Sequence, residues 1–230
     1  MSDKTELAAL PVADLAELTR GFYFLFWGVL VFVLALLETL VRPVGQPFSV
    51  LLLVAGGAGA LVGALRLTQV QALGPAWRMW TRNLLVVTGA VNYLSLFFLM
   101  WRQVPANGYL LVHALVFFEM VIGLFGLLCP PVWQLTRAAG RPQLAGQCVW
   151  FGAAGGLLLV PAGLLIARLL VAATQQGRDP LGVLQLWLVG IPHWLTLGLL
   201  LPVALLLSLL WTAKDLALDA LRAKTGPAGQ

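Results

Sequence analysis

"GYLLVHALVFFEMVIGLFGLL", residues 108–128, decides the fold class of this chain. A continuous apolar run of this length crosses a hydrocarbon core about 30 Å thick when it is helical, at about 1.5 Å per residue. The run carries one histidine, His113, and one acid, Glu119, although lipid disfavours both side chains. It therefore predicts a transmembrane helix with two polar groups that need an explanation.

The composition extends this prediction to the whole chain. Of 230 residues, 60% are hydrophobic and 10% charged, whereas soluble domains have roughly 25% charged residues. Continuous apolar runs favour helices, because membrane β-strands would alternate with period two. We predict an all-α, polytopic integral membrane protein with six transmembrane helices in three helical hairpins. The predicted spans are 21–41, 47–67, 83–101, 108–128, 148–173 and 184–211.

The segment "PVADLAELTR", residues 11–20, predicts a short amphipathic helix at the membrane interface, before the first span. Pro11 opens it, and Val12, Leu15 and Leu18 share one side. We expect three parts: an N-terminal cytoplasmic or interfacial segment over 1–20, the transmembrane domain over 21–214, and a cytoplasmic tail over 215–230.

The distribution of basic residues predicts the topology. The net charge of +5 could suggest nucleic acid, but ten basic residues fall on one side of the six-span arrangement and four on the other. The positive-inside rule then places both termini in the cytoplasm of a cell-membrane protein. We expect the basic residues to face anionic lipid, the bilayer to be the main partner, and nucleic acid not to be one.

Small residues predict where helices approach closely. Ala55, Gly59 and Gly63 repeat every four positions on the second span, and Gly152 and Gly156 do so on the fifth. This spacing allows tight helix packing in lipid. Prolines within spans five and six are expected to bend them as packing kinks; these are Pro161, Pro192 and Pro202.

No familiar catalytic motif occurs in the sequence. None of the four serines lies in a G-x-S-x-G setting, and neither H-E-x-x-H nor a Walker-type glycine loop is found. We therefore favour a protein that is not an enzyme. Cys129 and Cys148 are expected to remain reduced at the cytoplasmic ends of their spans, and they form no zinc signature with two distant histidines.

The candidate functional residues are the polar side chains within the spans: Glu38, Asn92, His113, Glu119, Arg168 and His193. Such groups in lipid usually face a bundle interior or water. Each also has a structural interpretation. Glu38 can pair with Arg42 one turn later, Asn92 can bond a neighbouring helix, and Arg168 can extend to the headgroups.

His113 and Glu119 lie six positions apart, about 120° around the helix and about 9 Å along its axis. Each therefore needs a partner from another helix. His113 and His193 both fall in the outer halves of parallel spans, which is the arrangement that a single haem b requires, with Arg102 or Arg168 available for the propionates.

Three functions remain open on the sequence alone. The first is a non-catalytic subunit or assembly partner of a larger membrane complex. The second is a small-molecule binding or transport protein, in which an outer-leaflet pocket is lined by Glu38, His113, Arg168 and His193, with Asn92 and Glu119 below it. The third is a single-haem electron carrier that uses His113 and His193. We rank them in this order, because polar groups are sparse in the spans, close-packing stripes are present and catalytic motifs are absent.

Overall fold

The computed structural model describes residues 6–41, 47–190 and 192–225, without the side chains of residues 47, 193–197 and 199. The described residues form helices joined by turns, and six of the helices are long and apolar enough to cross a membrane. The predicted all-α, multi-pass fold class is confirmed. The helices are α1 Glu6–Ala9, α2 Val12–Val41, α3 Pro47–Gln69, α4 Pro75–Gln103, α5 Gly108–Ala138, α6 Pro142–Gln175, α7 Pro180–Gly190 and α8 His193–Thr225.

Residues 12–20 of the predicted amphipathic segment are helical, but they continue without a break into the first span as part of α2. Its Leu15 and Leu18 side chains are fully buried, whereas Val12 is exposed. Helix α8 likewise continues past residue 214 to Thr225. The boundaries expected at residues 20 and 214 therefore fall inside helices, because helical hydrogen bonding does not stop where the apolar run does.

Two helices extend well beyond the predicted spans. Helix α4 begins at Pro75 rather than at residue 83, and α5 continues past residue 128 to Ala138. Pro130 and Pro131 lie inside α5 without ending it. Residues 129–147 lie between the fourth and fifth predicted spans, but in the structure the connection is only the turn 139–141 between α5 and α6.

The sixth predicted span is divided, which corrects the single helix expected over 184–211. Helix α7 ends at Gly190 and α8 begins at His193, so Pro192 separates two helices. With 11 residues, α7 is about 16 Å long and too short to cross a bilayer alone. Pro161 and Pro202, in contrast, lie within continuous helices.

The closest helix packing lies between α2 and α3. A Cβ atom added to Gly28 of α2 would overlap the backbone of Ala60, and one added to Gly56 of α3 would overlap the backbone of Phe32. Only glycine lets the two backbones approach this far.

The packing stripe predicted on the second span is therefore confirmed, with one change of residue. Gly59 and Gly63 lie in this interface, whereas Ala55 is exposed and Gly56 takes its place.

The remaining helices pack around the α2–α3 pair. Helix α4 packs on α3, α5 on α4, and α6 on α5, while α8 returns to pack on α2, α5 and α6. Gln185 of α7 donates a hydrogen bond to the Leu40 carbonyl at one end of α2. Lys224 of α8 donates one to the Leu10 carbonyl at the other end. The two described ends of the chain therefore lie at the same end of the bundle.

Candidate functional site

Asn92 occupies a structural position between α3 and α4. Its side-chain amide donates hydrogen bonds to the Gly57 carbonyl of α3 at 3.0 Å and to the Thr88 carbonyl of its own helix at 2.8 Å. A Cβ at Gly57 would overlap the Asn92 side chain, so the glycine makes room for the amide. The hydrogen-bond interpretation of Asn92 is confirmed.

His113 lies among aromatic rings on the α4 side of α5. Its ring stacks on Phe97 with 4.6 Å between centroids and lies 4.3 Å from the Tyr109 ring. Nδ1 is 2.8 Å from the Tyr109 carbonyl, which the Nδ1–H tautomer can use as an acceptor. This bond leaves Nε2 as the ring nitrogen able to accept a hydrogen bond or bind a metal.

The other predicted residues lie on four different helices. Glu38 is half-buried on α2, and its predicted partner Arg42 lies outside the described residues. Arg168 is exposed on α6. The side chain of His193, the second haem ligand in the electron-carrier hypothesis, also lies outside the described part of the structure. Arg102, considered for the propionates, is buried at the end of α4.

Glu119 projects from the middle of α5 and is exposed. Its Oε1 atom would lie 3.5 Å from a Cβ added to Gly163, so the carboxyl group lies against the backbone of α6. No side chain in the described part of the chain forms a hydrogen bond or an ion pair with it. An acid at the centre of a lipid-facing helix costs on the order of 2 to 3 kcal/mol on insertion scales.

An apolar cleft of about 230 Å³ opens between α5, α6 and α8, and its α5 wall begins at Ile122 and Gly123, about one helical turn from Glu119. Glycines form much of its wall: Gly123 and Gly126 of α5, and Gly152, Gly155 and Gly156 of α6. Pro202 and Leu206 of α8 close the far side. None of the described side chains that line this cleft is a histidine.

Glu119, Gly123 and Gly126 follow i, i+4, i+7 spacing and therefore share one face of α5. A Cβ on Gly123, Gly126 or Gly156 would meet no atom within 4 Å. At these three glycines, unlike at Gly28 and Gly56, no other helix of the described chain occupies the Cβ position. The close packing predicted for the fifth span therefore holds at Gly152, whose Cβ position is 3.3 Å from the Cys129 sulfur, but not at Gly156.

Helix α6 is the least covered of the six candidate spans in the described residues. Only 17% of its most apolar 18-residue stretch is buried, whereas the corresponding stretches of the other five helices are 33 to 44% buried. Its exposed face continues the wall of the cleft and includes Trp150, Leu157 and Leu164. One side of the bundle, formed by α5 and α6, is therefore open.

Cys129 and Cys148 are free thiols, with Cys129 in the wall of the cleft and Cys148 buried nearby. Within the described residues, no group of three or more histidine, cysteine, aspartate or glutamate side chains could hold a metal ion.

The sequence identifies Glu119, Gly152 and Gly156 as notable residues, but it does not show that they belong to one site. Sequence reasoning missed Gly123 and Gly126, although their spacing from Glu119 was readable. It could not assign Pro202 and Leu206 to the same cleft, because their proximity depends on how α8 packs.

Comparison of the chain with protein-family models, with curated proteins and with solved structures found no match. The class that the fold defines is an all-α, multi-pass membrane protein.

Proposed function

We propose that this chain is a non-catalytic subunit of a larger membrane complex, and that another subunit places a transmembrane helix in the cleft between α5, α6 and α8. The observation that carries the proposal is the exposed carboxyl group of Glu119 at the edge of a glycine-lined, apolar cleft.

The glycines set the geometry of the partner. In lipid, helices associate through close packing and hydrogen bonds rather than through the hydrophobic effect, so small residues mark surfaces where a second backbone approaches. Gly123 and Gly126 on α5 and Gly156 on α6 offer such a surface, with no atom of the described chain near their Cβ positions.

Glu119 sets the chemistry of the partner. A hydrogen-bond donor or a basic side chain on the incoming helix would satisfy the carboxyl group and exclude lipid from it. The expected partner helix therefore has small residues facing the cleft and one donor, such as serine, asparagine or lysine, at the depth of Glu119.

The other two functions have weaker support. A small-molecule pocket requires the polar residues to converge. Instead, the Asn92 amide donates a hydrogen bond to α3, and the His113 ring packs on Phe97 and Tyr109. The Glu119 carboxyl group lies against α6. A haem requires a second ligand opposite His113, and a visible spectrum of the reduced protein tests for it directly.

The test is the size of the complex released from native membranes by a mild detergent, for the original chain and for Glu119→Leu. We expect the original chain to migrate with at least one other protein, well above its own 24.7 kDa, and the variant to migrate alone. Leu96→Ala is the matched control, because Leu96 is exposed on α4, away from the cleft.

A monodisperse monomer from native membranes would contradict the proposal. An oligomer of this chain alone would also contradict it and would assign the cleft to self-association. Unchanged thermal unfolding of purified Glu119→Leu would show that loss of the complex does not result from misfolding.

A further inference from the structure

A second surface, at the other side of the bundle, has a different chemistry. The turn between α3 and α4 is anchored from inside: Trp77 is fully buried and its indole nitrogen donates to the Leu67 carbonyl at 3.1 Å. Thr81, one turn later, is also buried and donates to the Trp77 carbonyl. Because these residues face the core, Arg78 and Arg82 are held on the outside of α4, where both are exposed.

Arg78 and Arg82 lie one turn apart on the same face of α4, so their positive charges repel each other. No carboxylate of the described residues pairs with either arginine. Arg66 on α3, in contrast, pairs with Glu17 at 3.0 Å. The two guanidinium groups therefore form an uncompensated basic pair, which an external anion can bridge.

The arginines line a broad, shallow depression of about 770 Å³ together with Thr68, Pro75, Met79 and Asn83. Asn83 adds an exposed amide donor, and the first turn of α4 adds backbone N–H groups, since its N-cap Gly74 has no side chain to cap them. These groups all favour a negatively charged oxygen ligand.

The apolar part of the depression distinguishes a lipid from a soluble anion. Met79 is 50% exposed beside the arginines, and Val86, one turn beyond Arg82 along α4, is 63% exposed. Along α4, two positive charges are followed by an apolar surface. This order fits the negatively charged phosphate headgroup of a lipid and the acyl chain attached to it.

We propose that Arg78 and Arg82 form a binding site for the phosphate headgroup of an anionic phospholipid, with the acyl chain along Met79 and Val86. This site, named here the α4 arginine site, is independent of the cleft at Glu119.

The experiment is native mass spectrometry of the purified chain titrated with phosphatidylglycerol, compared with zwitterionic phosphatidylcholine. We expect the first phosphatidylglycerol to bind about fivefold more weakly for each arginine neutralised, and about 30-fold more weakly in Arg78→Gln/Arg82→Gln. Arg78→Lys/Arg82→Lys should retain most of the affinity. Arg137→Gln/Arg141→Gln, which alters another basic pair at the α5–α6 turn, should bind the first lipid as the original chain does.

Three results would overturn the proposal. The first is unchanged phosphatidylglycerol affinity in the double glutamine variant, provided that its thermal unfolding matches that of the original chain. The second is equal affinity for phosphatidylcholine. The third is displacement of the lipid by inorganic phosphate at millimolar concentration, which would indicate a general phosphate site.

Discussion

Two regions of this bundle use glycine in opposite ways. Between α2 and α3, the Cβ positions of Gly28 and Gly56 are occupied by the backbone of the facing helix. Between α5 and α6, the Cβ positions of Gly123, Gly126 and Gly156 meet nothing within 4 Å. The same residue type thus marks a completed interface in one region and an open surface in the other.

A pattern of small residues therefore indicates where a helix can approach, but not whether that helix comes from the same chain. The polar side chains of the two regions differ in the same way. Asn92 is bonded across to the Gly57 carbonyl within the completed region, whereas Glu119 projects from the open one. We interpret the open region as the part of the fold that another subunit completes.

The largest effect is expected in the completed region. Gly28→Ala or Gly56→Ala should lower the free energy of unfolding by about 2 to 3 kcal/mol, because the added methyl group would overlap backbone atoms that cannot rotate away. Reversible unfolding in mixed detergent and dodecyl sulfate measures this change. Gly126→Ala is the matched control and should change stability by less than about 0.5 kcal/mol. Equal losses in both regions would remove the distinction between them.

A smaller loss is expected at Asn92, which lies between α3 and α4. Asn92→Ala removes the hydrogen bond to the Gly57 carbonyl and should cost about 0.6 to 1.7 kcal/mol, the range typical of interhelical hydrogen bonds in lipid. The same unfolding assay applies. Ser95→Ala is the control, since the Ser95 hydroxyl donates only within its own helix, to the Asn92 carbonyl. A larger loss at Ser95 than at Asn92 would contradict this account.

Almost no loss of stability is expected at Glu119 in the isolated chain. Glu119→Leu removes an exposed acid with which no described side chain forms a hydrogen bond or an ion pair, so the unfolding midpoint should remain the same or rise. Glu119→Gln should also be neutral in the isolated chain and should keep part of the partner affinity through its amide oxygen. A strong destabilisation by the leucine variant would mean that Glu119 serves the internal fold instead.

Much of the fold was predictable because hydrocarbon thickness limits the length of an apolar helix. The helix ends were not, since α4 and α5 continue past the apolar runs that defined them. At Pro192 the sequence predicts only a bend, because a proline shows a lost hydrogen bond but not whether the helix ends there.

The site was only partly predictable. The position of Glu119 in an apolar run was readable, and so was its need for a neighbour. The direction it faces depends on how α5 rotates against α4 and α6, which the surrounding Leu115 and Ile122 do not reveal. The cleft also requires Pro202 and Leu206 from α8, whose position is set by tertiary packing.

The most direct test of the open region is photocross-linking in intact native membranes, with a photoreactive amino acid in place of Leu157, which is exposed on α6 next to the cleft and leaves its glycines unchanged. We expect one discrete adduct with another membrane protein, absent when the probe replaces Val86, which is exposed on α4, and lost when Glu119→Leu is combined with the probe at 157. Adducts that are confined to lipid, or that are equally strong at positions 86 and 157, would contradict the account.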